Sequence, residues 1–243
     1  MIEVEFGMSI ELRSNVLNKE EKQFPFELVE LAKLVPHEMT IDHELESIKQ
    51  GLIDSGMVYW PLILDKNSLL ILDGHHRTKG LGELGYRFTP AVMIDYLDDD
   101  LIQVDTWYPI VNVTVEDVIS ELQKHDLQII KSEVNSLDMP RLVNREITCV
   151  VGNETHLYNI IGERELVFHI IREKWLEGIL YADNAEISLK HAGPSKTAII
   201  SWSYSKREIL DFVLGGDIFL PKTTRHELKY LVGKCNVPLG SLK

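Results

Sequence analysis

Five consecutive residues in this chain, Asp73-Gly74-His75-His76-Arg77, combine groups that could do chemistry together. Leu69 to Leu72 is a short apolar run that reads as a buried strand, and from His75 the spacing switches to a helix closing at Gly85. Asp73 and Gly74 are then the turn between them. The first backbone N–H groups of a helix that follows such a turn have no partner within it, and with the helix dipole behind them they favour an anion. Gly74 lets a ligand approach the backbone, while His75, His76 and Arg77 add donors and positive charge. Asp73 repels a phosphate unless a divalent cation lies between them, so the set suggests a metal–phosphate site. The alternative is structural, with Asp73 capping the helix and the histidines lying at the surface.

A second polar cluster lies near the end of the chain, Phe219-Leu220-Pro221-Lys222-Thr223-Thr224-Arg225-His226. In so acidic a chain it reads either as half of a phosphate or carboxylate clamp or as an exposed turn. Thr106-Trp107-Tyr108-Pro109 reads equally as the seal of a core edge or as the aromatic wall of a small-molecule site. Asp98-Asp99-Asp100 reads as a solvated turn. Gly193-Pro194-Ser195-Lys196-Thr197 lacks the first glycine of a phosphate-binding P-loop and is set aside.

The elements around these clusters follow from apolar spacing. Residues 1–26 read as a loosely attached arm or a small edge strand, and 26–31 as a strand. Leu34 to Glu38 is extended, because Pro36 disfavours helix at the residue before it. A helix is expected from His43 to Ser55, stopped by Gly56, with strands at 60–65 and 89–96. Beyond a boundary placed near 112, helices are expected from Val115 to an end at His125-Asp126, at 165–178 and at 206–214, with a hairpin turning at Gly152-Asn153 and a strand at 198–202.

With 243 residues, 44% of them apolar, the chain has the make-up of an ordinary globular protein. Its net charge of −13 argues against general binding to nucleic acid or anionic membranes, which depends on Lys and Arg. The opening Met-Ile-Glu-Val-Glu-Phe has no basic region or long apolar core, and no stretch approaches a membrane span, so a cytoplasmic protein is expected. Cys149 and Cys235 are far apart and suggest neither a zinc site nor a disulfide framework.

Taken together, Pro36-His37-Glu38, Leu72-Asp73-Gly74-His75-His76-Arg77, Asp95-Tyr96, Thr106-Trp107-Tyr108-Pro109 and Pro221-Lys222-Thr223-Thr224-Arg225-His226 resemble the free L-serine kinase family of archaea, whose N-terminal half is similar to the ParB/sulfiredoxin superfamily. The resemblance runs from about residue 26 to the C-terminus. It implies an α+β fold, with a ParB/sulfiredoxin-like nucleotide-binding catalytic domain over 1–112 and a smaller α/β domain over 113–243 whose tail, 219–226, completes the active site. The implied reaction moves a phosphoryl group from ADP or ATP to the hydroxyl of free L-serine, giving O-phospho-L-serine, with Mg²⁺ as cofactor. Glu38 then matches the catalytic carboxylate, and Asp73 the acidic residue at the phosphate and magnesium site. Gly74, His75, His76, Arg77, Lys222 and Thr224 match phosphate and nucleotide contacts, and Trp107, Thr223, Arg225 and His226 the substrate clamp. Glu38 on a Pro-bounded turn is suited to accept the serine proton, or alternatively caps the helix that starts near His43.

Two readings from other classes stand beside this one. A ParB-like nucleotide-binding regulator or DNA-associated protein would share the phosphate turn but should carry a basic surface. A sulfiredoxin-like reductase would need a cysteine where this chain has His75.

Overall fold

The computed structural model describes residues 2–6, 9–13, 19–132, 137–175 and 178–243. They form a mixed α/β protein of two compact units, and the units are not the two consecutive halves expected. One unit joins the N-terminal hairpin to Thr106–Ser203, and the other joins Leu17–Asp105 to Tyr204–Lys243. A boundary near 112 would fall just after the strand Tyr108–Val111, whose hydrogen-bonded neighbours are Leu180–Ala182 and Thr197–Ser201. That pairing draws the strand into the first unit.

The first unit is built on an eight-stranded sheet. In spatial order its strands are Ile2–Phe6, Ser9–Arg13, Leu180–Ala182, Tyr108–Val111, Thr197–Ser201, Cys149–Gly152, Leu157–Ile161 and Gln128–Ser132. The expected N-terminal arm is thus an antiparallel hairpin, and its second strand runs parallel to Leu180–Ala182. Helix Val115–Leu122, capped by the Thr114 side chain, buries Val115, Val118, Ile119 and Leu122. These pack with Val111, Val151, Ile160, Val167, Ile171 and Ile199 into one core.

The second unit carries the Asp73 turn. Its four-stranded sheet runs in the order Glu27–Glu30, Phe88–Ile94, Leu62–Asp65, Ile71–Asp73. Only the central pair, Leu62–Asp65 with Phe88–Ile94, is parallel. Helices Asp42–Ser55 and His75–Glu83 pack against each other, with Gly80 close to the Lys49 side chain. Helix Lys206–Leu214 opens with a Ser205–Glu208 capping box and buries Ile209 and Val213 beside Ile63, Leu72, Val92, Ile102 and Phe219. Strand Arg225–Leu228 pairs antiparallel with Ile102–Asp105. The last residues are anchored too, since Val237–Pro238 pairs with Met57–Val58 and Leu239 and Leu242 are buried with Leu52 and Leu81.

Candidate active site

The strand-to-helix turn has the expected form. Ile71–Asp73 ends at Gly74, which sits at φ 107 as the first cap of helix His75–Glu83, and no side chain caps that helix. A Cβ on Gly74 would fall inside the Leu62 side chain, so the backbone here is bare by necessity. Asp73 is not the cap. Its carboxylate is 62% exposed and pairs with the Arg77 guanidinium, one turn along the helix.

Arg77 and the histidines are held differently from a ring of free cationic donors. Arg77 donates through Nη1 to the carbonyls of Trp60 and Pro61, at 2.7 and 3.0 Å, as well as to Asp73. His75 Nε2 accepts the N–H of His37 at 3.2 Å and that of Glu38 at 3.4 Å. His76 Nε2 accepts the N–H of Ile41 at 2.9 Å. A ring nitrogen that accepts a backbone N–H carries no proton there, so both imidazoles are neutral. Burial holds His75 well below the ordinary histidine range, helped by the nearby His37, His226 and His76, and burial likewise lowers His76. These histidines strap the segment 37–41 to the start of the helix instead of adding positive charge.

That strap sets Glu38. Its backbone lies beside Phe219, with the Phe219 N–H donating to the His37 carbonyl and the Met39 N–H to the Phe219 carbonyl, both at 2.9 Å. The chain after Phe219 then turns around the Glu38 carboxylate. The Lys222 N–H donates to Oε2 at 3.0 Å, the Thr224 N–H to Oε1 at 2.5 Å, and the Thr224 hydroxyl to Oε1 at 2.7 Å. Lys222 takes a left-handed backbone, φ 60, to present these donors, and the Thr223 hydroxyl closes the turn on the Leu220 carbonyl at 2.7 Å. A non-glycine residue in that region is a strained conformation of the kind that collects at functional sites. Glu38 does not cap the following helix, whose N-cap is Ile41 and has no side-chain bond.

The other expected contacts divide. His226 lies in the same cluster, its Nε2 2.7 Å from the Tyr96 hydroxyl and its ring 4.8 Å from that of His37. Burial raises the Tyr96 phenol out of reach of titration and pushes His226 well below its usual range, so Tyr96 is the donor. Arg225 forms ion pairs with Glu227 at 2.7 Å and Asp105 at 3.1 Å. Trp107 belongs to the first unit, where it is buried in the core with Val111 and Val115. His37 and Tyr96 stand inside the sequence motifs, with no role evident from residue type alone. Their signal was present as Pro-His-Glu and Asp-Tyr, and only the fold supplies their partners.

The buried histidines make stability depend on pH. An unfolded histidine takes up a proton below about pH 6.5, whereas His75 and His226 stay neutral in the folded protein. The unfolded state then binds more protons, so stability is full above about pH 6.5 and falls as the pH drops, by up to ~1.4 kcal/mol per pH unit for each histidine. Urea unfolding at pH 7.5 and 5.5 should show this loss, and equal midpoints would contradict it.

The two cysteines are not reactive thiolates. Cys149 is buried and its thiol is pushed up to about 12, and burial also raises Cys235. No helix among the described residues is long and apolar enough to cross a membrane.

No protein-family model matches the chain. It is 30% identical over 236 residues to the ADP-dependent L-serine kinase of Thermococcus kodakarensis, covering 91% of this chain and 94% of that one. It is 28% identical over 230 residues to an ATP-dependent L-serine kinase of Staphylothermus marinus, covering 89% and 90%. A solved structure of a free serine kinase, a glutamate-to-alanine variant in complex with ADP, superposes with a TM-score of 0.82 at 29% identity over 96% of this chain and 100% of that one. This fold is that of a nucleotide-dependent phosphotransferase. The chain belongs to the L-serine kinase family.

Proposed function

We propose that this protein acts in the cytoplasm, transferring a phosphoryl group from ADP or ATP to the hydroxyl of free L-serine and releasing O-phospho-L-serine with AMP or ADP. The observation that carries the reading is the Glu38 carboxylate, oriented by Lys222 and Thr224 and strapped through His75 to the helix start behind Gly74. Serine's hydroxyl is a weak nucleophile at neutral pH, and a fixed carboxylate that takes its proton during attack lowers that barrier. The uncapped helix start behind Gly74 forms the phosphate seat through its backbone N–H groups, with His75 and His76 holding segment 37–41 beside it and Arg77 holding Asp73, and Lys222 is the nearby cation on the nucleotide side. On this reading Thr223, Arg225 and His226 serve the serine side, Arg225 as a cation braced by Asp105 and Glu227.

The exposed Asp73 carboxylate suits Mg²⁺, which binds through one or two carboxylates plus substrate phosphates and keeps several waters. No cluster of three ligating side chains occurs among the described residues. When bound, Mg²⁺ would neutralise charge on the transferring phosphate.

Incubating the protein with L-serine, Mg²⁺ and ADP or ATP should yield phosphoserine by mass spectrometry, and its absence with both nucleotides would end the proposal. Activity should vanish in EDTA. Asp73→Asn should weaken Mg²⁺–nucleotide binding together with turnover, in contrast to a change confined to kcat. ADP is the donor favoured by the resemblance, and comparing kcat/KM for the two nucleotides decides it.

A further inference from the structure

The Glu38 carboxylate is one end of a hydrogen-bonded chain that continues into the protein. Thr224 Oγ1 lies 2.7 Å from Glu38 Oε1 and 2.8 Å from His37 Nε2. On its other side the His37 ring meets the Ile71 carbonyl, 2.5 Å from Nδ1. A carbonyl oxygen only accepts, so Nδ1 carries a proton whatever the charge of the ring. The remaining order is Oε1, Oγ1, Nε2, and the only hydrogen built into that order is the one on the Thr224 hydroxyl.

One proton cannot fill two gaps. With Glu38 ionised and His37 neutral, the Thr224 hydroxyl donates to the carboxylate, and its oxygen then faces the bare Nε2 lone pair at hydrogen-bond distance. One added proton completes both bonds, either as Oε1–H···Oγ1–H···Nε2 or as carboxylate···H–Oγ1···H–Nε2 with an imidazolium. The surroundings allow either arrangement. The groups facing the His37 ring are His75 at 4.4 Å and His226 at 4.8 Å, both neutral, and the Glu38 carboxylate, whose Oε1 lies 3.8 Å from Nε2. Burial lowers the proton affinity of His37 and the Glu38 charge raises it.

We propose that Glu38, Thr224 and His37 act as one proton-accepting array, in which the proton that leaves the serine hydroxyl is held jointly by the Glu38 carboxyl and His37 Nε2 through the Thr224 hydroxyl. This rests on Glu38 being the base. As the serine oxygen forms its bond to the terminal phosphorus, the bond from phosphorus to the bridging oxygen breaks and its electron pair leaves on the nucleotide. The serine proton passes to the Glu38 carboxylate and settles on Oε1, because there Thr224 Oγ1 is an acceptor in place. Both oxygens accept a backbone N–H, Oε1 from Thr224 and Oε2 from Lys222, and the difference is that the Thr224 hydroxyl stands beside Oε1. The proton returns to solvent or to the leaving phosphate when product departs, and the array is again one proton short. Thr224 and His37 are in this sense positioning residues for Glu38, without contact to substrate. Thr224, expected from sequence to contact phosphate, has its hydroxyl committed to this chain.

The test is a double-mutant cycle on kcat at saturating serine, Mg²⁺ and nucleotide, with KM values for both substrates measured alongside. Thr224→Val keeps the side-chain shape and the backbone N–H to Glu38 but removes the hydroxyl. His37→Asn keeps a donor for the Ile71 carbonyl but removes Nε2. Each should lower kcat about tenfold or more, with both KM values within about twofold of wild type. The double variant should be no slower than the slower single one, since either change breaks the same chain. Thr224→Ser, which restores the hydroxyl, should recover most of the loss. Wild-type kcat in Thr224→Val, no recovery in Thr224→Ser, or losses that multiply in the double variant would overturn the proposal. Should His37→Asn fail to fold, the Val and Ser variants at 224 decide alone. Glu38→Gln, run in parallel, separates the two levels: normal turnover there refutes Glu38 as the base, whereas a large loss there with an inert Thr224→Val refutes only the shared proton.

Discussion

Glu38→Gln should lower kcat by roughly 10²–10⁴-fold while leaving nucleotide affinity close to that of the unchanged protein. Glutamine keeps the length of the side chain and one carbonyl oxygen, so it can still accept the N–H groups of Lys222 or Thr224 that aim Glu38. It cannot take a proton from serine. The side chain is only 12% exposed and does not cap the helix at Asp42, so the loss is not explained by a weakened helix start. Isothermal titration with ADP, alongside steady-state rates, separates the two effects. A variant that turns over normally would move the search for the base to the remaining ionisable groups of the cluster.

Gly74→Ala should be nearly as damaging by another route. The residue sits at φ 107, where an L side chain is strained, and the added methyl would overlap Leu62, a fully buried residue of the sheet. Left-handed backbone costs about 1–2 kcal/mol and overpacking about 1–3 kcal/mol, giving an expected destabilisation of about 2–5 kcal/mol. Because Gly74 is also the cap of the helix proposed to seat the phosphates, nucleotide affinity should fall with stability. Thermal unfolding with and without ADP would register both, and an alanine variant with unchanged Tm and ADP-induced stabilisation would show that the turn adjusts at little cost.

The parts of this molecule that could be read in advance are those whose partners lie close by in the sequence. Helix Lys206–Leu214 is found where its apolar spacing put it, and the strand, glycine turn and helix around Asp73 follow from a change of period at one point. Strand Arg225–Leu228 offers no alternation of apolar and polar residues, and its existence depends on Ile102–Asp105, more than a hundred residues earlier. The strand Gln128–Ser132 and the helix Ala185–Ala192 were similarly hidden, as short elements completed by distant strands. For the site, residue types were legible and hydrogen-bond directions were not. His75 and Arg77 look like phosphate donors in the sequence, yet His75 accepts backbone N–H groups and Arg77 is occupied by two carbonyls and Asp73. The two residues that close around Glu38, Lys222 and Thr224, are legible as part of a polar cluster, but nothing local says that their N–H groups point at one carboxylate.

The second unit is written in two separated stretches of chain, and this bears on how the protein is made. Glu38 emerges early from the ribosome, but the N–H groups that fix its carboxylate belong to Lys222 and Thr224, 184 and 186 residues later. The whole of Thr106–Ser203 is synthesised in between. At translation rates of about 5–20 residues per second, the early stretch waits on the order of ten seconds or more before its closing segment exists. During that interval the face of the sheet that will meet Ile209, Val213 and Phe219 is exposed, along with the surfaces later covered by Leu239 and Leu242. Nascent chains stopped short of residue 226 should therefore be protease-sensitive over 27–94 and in need of chaperones, and the Glu38 carboxylate is among the last groups in the protein to find its place.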